Sequence, residues 1–96
     1  MKITELQKLM RDIYYHCDRE RGIHKTFVWL VSEIGELANS MRKENNLKKI
    51  EEEFADVLAW IASLANLLNI DLERAITSKY PGKCPRCNSC PCKCSL

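Results

Sequence analysis

A chain of 96 residues makes one domain, and without its cysteine-rich end only about eighty residues are left for a core, a size that calls for a metal or a partner chain. Its 46% hydrophobic and 29% charged residues are those of a soluble globular protein, and a net charge of +2, from 15 basic and 13 acidic residues, does not suggest a basic DNA-coating protein. No apolar run approaches the roughly 20 residues of a membrane span, and Met1-Lys2-Ile3-Thr4-Glu5 leads into no secretion-signal core, so a cytoplasmic location is expected.

Thr4 with Gln7 three residues later fits a capping box opening a first helix. Ile3, Leu6, Met10, Ile13 and Cys17 then share one face, with Cys17 expected as inert packing. The run Asp18-Arg19-Glu20-Arg21 and Gly22 end this helix. A second helix is expected from Lys25 or Thr26 to about Met41, with Phe27, Leu30, Ile34, Leu37 and Met41 as its core stripe. Trp29, Glu33 and Glu36 lie on a neighbouring face. Gly35 between the acids costs about 1 kcal/mol relative to alanine and would allow close approach of a helix or ligand.

Asn45 and Asn46 supply the turn and N-cap of a third helix that runs to about Leu68. It carries two stripes, Ile50, Phe54, Val57, Ile61, Ala65 and Leu68 on one side and Glu53, Asp56, Trp60, Leu64 and Leu67 on another. A helix apolar on two sides must be buried on two sides, so a homo-oligomer, dimer or tetramer, is expected with this helix partly at the interface. Asn69-Ile70-Asp71 breaks the pattern, and Asp71 caps a fourth helix that runs through Leu72, Ala75 and Ile76 to about Lys79, where Tyr80-Pro81-Gly82 stops it. With no strand pattern and no repeat, the fold class is all-α: a four-helix bundle around a central helical hairpin over residues 1–82, then a cysteine-rich tail, 83–96.

The chemistry lies in two acid pairs, Glu33 with Glu36 and Glu53 with Asp56, each at i, i+3 and therefore on one helix face. A hairpin of helices two and three would bring all four carboxylates together, where they repel unless a divalent cation neutralises them. Oxygen donors without histidine select Mg²⁺ or Mn²⁺, and such ions usually serve phosphate chemistry. The plain alternative is that such pairs are solvated surface acids, as Glu51 and Glu52 are expected to be.

Val31-Ser32-Glu33-Ile34-Gly35-Glu36-Leu37, then Glu53-x-x-Asp56, Asn69-x-Asp71 and Lys79, resembles the MazG-type all-α nucleoside triphosphate pyrophosphohydrolases. Sixteen residues between Glu36 and Glu53 fit the spacer of that family's two acidic motifs, and the similarity covers about residues 20–80. The resemblance implies cleavage between the α- and β-phosphates of a nucleoside triphosphate, releasing a monophosphate and pyrophosphate, and a housecleaning role in the nucleotide pool. Glu33, Glu36, Glu53 and Asp56 would hold Mg²⁺, Lys79 would contact phosphate, and Trp29 or Trp60 would stack on or wall in the base. His24 and Lys25, ahead of the second helix, stand as further substrate contacts at the mouth of the site. The resemblance also implies a dimer or tetramer. One position departs: the family's first glutamate is Ser32 here, which leaves activation of water to Glu33 or to the metal.

Five of the six cysteines crowd between Cys84 and Cys94. In a reducing compartment that crowding points to metal before disulfides. Cys84-Pro85-Arg86-Cys87 chelates tetrahedral Zn²⁺, and Cys92 with Cys94 completes a Cys₄ set, Cys90 being a spare or a substitute. Structural zinc is the expected role. Lys83, Arg86 and Lys93 without an aromatic residue argue against a nucleic-acid knuckle. The rival to the enzyme reading is a non-catalytic helical oligomer that binds nucleic acid or regulates through this tail.

Overall fold

A computed structural model describes residues 1–43 and 46–95. Among them are four helices and no strand: α1 (Ile3–Arg21), α2 (Ile23–Lys43), α3 (Leu47–Leu67) and α4 (Leu72–Lys79). α3 is central, packed along both α2 and α1, and α4 rests on α1. The fold is thus the all-α arrangement expected, with the α2–α3 hairpin at its middle. No single described helix is long and apolar enough to cross a membrane.

The start of α1 differs from the expected Thr4 cap. Lys2 is the N-cap, and its backbone N–H donates to Glu5 Oε1 at 2.7 Å. A carboxylate in the first turn also meets the positive end of the helix dipole with a full negative charge, which the neutral hydroxyl of Thr4 cannot do. Gln7 is thereby released for another task. Its Nε2 donates to Asn66 Oδ1 at 3.1 Å and to the Ile70 carbonyl at 2.8 Å, and its Oε1 accepts from the Leu72 N–H at 2.8 Å. Asn66 Nδ2 answers by donating to the Gln7 carbonyl at 3.0 Å. These four bonds tie α1 to the end of α3 and the start of α4.

α1 and α2 are joined by a single residue. Gly22 has φ 88°, and its N–H donates to the Asp18 carbonyl while its own carbonyl accepts from Thr26. A side chain at this φ would be strained, so glycine both ends α1 and starts α2. α2 consequently begins at Ile23, a few residues before the expected Lys25 or Thr26. Asn46 is the N-cap of α3, its side chain accepting from the N–H groups of Lys48 and Lys49. Asn45, expected to share that turn, lies outside the described residues. Asp71 caps α4 by accepting from the Arg74 N–H at 3.1 Å.

The core is small. Among the described residues its buried apolar side chains are Met10, Leu30, Ala62 and Ala65. The alanines, with Ser63, let neighbouring helices approach the C-terminal half of α3 closely. The expected α1 stripe is covered only at Met10 and partly at Leu6; Ile13 and Cys17 are exposed, so Cys17 is not a packing residue. On α2 the buried line is Thr26, Leu30 and Ser40, with Glu33 and Leu37 half-buried. Phe27, Ile34 and Met41, read as core, are about half exposed, because α3 covers the face a quarter turn away. Gly35 meets nothing within 4 Å of where a side chain would start. No close approach uses it within this chain.

Asn66 is 2% exposed and stands at the centre of the α1–α3–α4 bonds. Asn66→Ala is expected to cost about 1–3 kcal/mol, read as a lower midpoint in urea unfolding. A change within experimental error would show that these bonds do not carry the packing of α4.

Candidate functional site

Of the four carboxylates, the structure brings together three. Glu33 of α2 and Glu53 and Asp56 of α3 each place one oxygen so that all three lie within 4.8 Å of one another. Glu53 is buried at 6% exposure, Glu33 is half-buried and Asp56 is exposed. Glu36 stands outside this group and is exposed; three residues on from Glu33 it has turned about 60° round the helix axis, away from the seam. Its charge still reaches Glu33 and Lys49.

The electrostatics fit a cation. Burial pushes the Glu33 carboxyl above its ordinary range, and the charges of Asp56, Glu53 and Glu36 push it further, against a smaller lowering by the Trp60 side chain. Lys49 Nζ lies 3.2 Å from Glu53 and supplies one positive charge. Its ammonium is held above its usual range, chiefly by the hydrogen bond to Glu53 and then by that residue's charge. One exposed ammonium does not offset three clustered acids, so hard-oxygen chemistry and residual negative charge both suit a divalent ion here.

Beside the acids lies a cavity of about 180 Å³ between α1 and α3. Asp56 lines it together with Met10, Tyr14, Asp18, Arg21, Ala59, Trp60 and Ser63. Trp60 is held on two counts. Its ring stacks on Trp29, with centroids 6.0 Å apart and planes at 13°, and the Arg21 guanidinium lies 4.7 Å from its centroid. The tryptophans thus stack on each other, and Trp60 also walls the cavity. His24, Lys25 and Lys79 are exposed; none lines this cavity or joins the acid group.

Asp18, Arg21 and Thr26 were not singled out by the sequence. Arg21 Nη1 donates to Asp18 Oδ1 at 2.8 Å and to Thr26 Oγ1 at 3.3 Å. Asp18 is 2% exposed, and its Oδ2 has no hydrogen-bond partner among the described residues. In the sequence this pair sits in a run of four charges that looks like a solvated helix end. The available signal was the i, i+3 placement of Asp18 and Arg21 just before a glycine, which points both into the turn between two helices.

In the tail, the sulfurs of Cys84, Cys87, Cys92 and Cys94 lie within 4.8 Å of one another, and Cys90 is outside that group. Four cysteines so placed are able to bind a metal. The Cys87 thiol is lowered to about 6, first by the Lys93 N–H. The Cys94 thiol is pushed up to about 11, first by Cys92 and then by Cys87.

The raised Glu33 carboxyl has a consequence for stability. Between the ordinary carboxylate range and its raised value the folded state binds more protons than the unfolded chain, so stability falls as pH rises through that window. Without divalent ions, Glu33→Gln is expected to raise the melting temperature at neutral pH and to flatten its dependence on pH above the carboxylate range. An unchanged pH profile would mean that Glu33 feels no such strain.

No curated protein matches the chain. The family model for the MazG nucleotide pyrophosphohydrolase domain matches residues 21–88, a span that holds α2 to α4, all four acids, and the first two tail cysteines. With well over half of its length matched, the chain belongs to the MazG nucleotide pyrophosphohydrolase domain family.

Proposed function

We propose that this protein is a Mg²⁺-dependent nucleoside triphosphate pyrophosphohydrolase that cleaves between the α- and β-phosphates to give a monophosphate and pyrophosphate. The observation that carries this reading is the group of Glu33, Glu53 and Asp56 beside a cavity walled by Trp60, in a chain of the MazG family. The three carboxylates would hold the ion, with Glu36 adding charge from the next turn of α2. Such an ion, when bound, supplies positive charge against the phosphate oxygens.

The side chains around it have separable tasks. Asp56 belongs to both the acid group and the cavity wall, so a ligand in the cavity has its reacting end beside the acids. Trp60, braced by Trp29 and Arg21, would offer the base an aromatic wall in a cavity that also holds polar groups. With Ser32 at the place of the family's first glutamate, Glu33 is the carboxylate left to accept a proton from the attacking water. Lys79, Lys25 and His24, all exposed, would contact the phosphate tail.

The half-exposed stripe of Phe27, Ile34 and Met41, with Phe54 and Leu58 of α3, fits a homodimer or tetramer that covers it. The role that goes with this reading is housecleaning of the nucleotide pool in the cytoplasm.

The test is incubation of the purified chain with a panel of NTPs and dNTPs and Mg²⁺, reading monophosphate and pyrophosphate. Pyrophosphate release is expected, falling by about 10²-fold or more in Glu53→Gln and Glu33→Gln, while Glu51→Gln changes little. Orthophosphate in place of pyrophosphate would mean a different bond is cut. Stabilisation by Mg²⁺ without turnover would sink the enzyme reading and leave the acids as a structural metal site.

A further inference from the structure

The tail carries a second cluster of chemistry-bearing side chains, remote in kind from the acids because every donor is sulfur. Four sulfurs at about 2.3 Å from one tetrahedral zinc lie about 3.8 Å from each other. Cys84 and Cys94 are 3.8 Å apart, Cys87 and Cys92 are 3.9 Å apart, and all four sulfurs lie within 4.8 Å of one another. These spacings leave room for one ion at the centre and not for a multi-iron cluster, whose core would hold the thiolates further apart.

The backbone is shaped to the same end. Asn88 has φ 58° and its N–H donates to the Cys84 carbonyl at 2.8 Å, while the Cys84 N–H donates to the Ser89 carbonyl at 3.0 Å. This left-handed residue folds Cys84-Pro85-Arg86-Cys87 into a tight knuckle that presents both sulfurs on one side. Amide groups point at the sulfurs as well: the Lys93 N–H donates to Cys87 Sγ and the Cys94 N–H to Cys92 Sγ, both at 3.3 Å. Donors aimed at sulfur stabilise thiolate charge, which is the ligating form.

We infer that Cys84, Cys87, Cys92 and Cys94 form a closed tetrahedral Zn²⁺ site, with Cys90 not a ligand. With four protein donors no position is left for water or substrate, so the zinc is structural. It fixes residues 84–94 as a rigid loop after α4, a segment that otherwise has no helix or strand and is mostly exposed. The site draws nothing from α1 to α4 and is independent of the nucleotide reading.

The test uses the full-length, tag-free chain. Metal analysis is expected to find one zinc per chain in the wild type and in Cys90→Ser. Single serine variants at 84, 87, 92 and 94 should each lose zinc to a chromophoric chelator at least tenfold more readily, with unchanged helical circular dichroism. Cobalt titrated into the zinc-stripped wild type should give thiolate charge-transfer bands and the visible bands of tetrahedral geometry, saturating at one ion. Loss of zinc in Cys90→Ser but not in Cys94→Ser would overturn the ligand set. Iron in place of zinc, a weak octahedral cobalt spectrum, or no bound metal would overturn the site itself.

Discussion

Three carboxylates that share one small space govern the middle of this structure. Glu33, Glu53 and Asp56 face each other across the seam of α2 and α3, and the strain is felt at Glu33, whose carboxyl is held above its ordinary range by burial and by the neighbouring acids. Lys49, one turn ahead of Glu53 on the same helix, offsets part of it. The fold tolerates the remainder because packing elsewhere along α3 holds the hairpin shut: Ala62, Ser63 and Ala65 are buried against neighbouring helices, and Asn66 is bonded to α1. The stable end of α3 therefore holds the unstable end in place. Such a division is usual where binding groups are preorganised at a cost in stability.

Polar side chains make up much of the interior. Asp18, Thr26, Ser40, Glu53, Ser63 and Asn66 are buried, against four buried apolar residues among those described. This explains which parts of the structure could be read from the sequence. The helices, Asn46 and Asp71 as caps and the stop at Gly22 follow from local rules, and they were legible. The phase of α2 was not, because an apolar stripe at Phe27, Ile34 and Met41 mimics a core while Thr26 and Ser40 occupy the real seam. In a chain whose apolar surface exceeds what its own helices cover, periodicity locates apolar faces without saying which one is inside.

The two clusters show the same contrast. Sulfur ligands announce themselves by type and spacing, and the four cysteines come together as the sequence suggested. Carboxylates are ordinary surface residues, and the i, i+3 spacing that was read as one face hides the turn of about 60° that takes Glu36 out of the group. The Asp18–Arg21 pair was hidden more completely, since a buried ion pair inside a charged run leaves no compositional trace.

Arg21 is the last residue of α1, yet its guanidinium touches all three long helices: Asp18 on α1, Thr26 on α2 and the Trp60 ring on α3. Only a flat, multiply donating cation can bond two oxygens edgewise while stacking on a ring, and a lysine of equal charge has neither the plane nor the fork. The position should thus be among the least tolerant of substitution in the chain, although its neighbours Arg19 and Glu20 are exposed. In a library of variants, a lone intolerant site at a helix end would mark where three helices are held by one side chain.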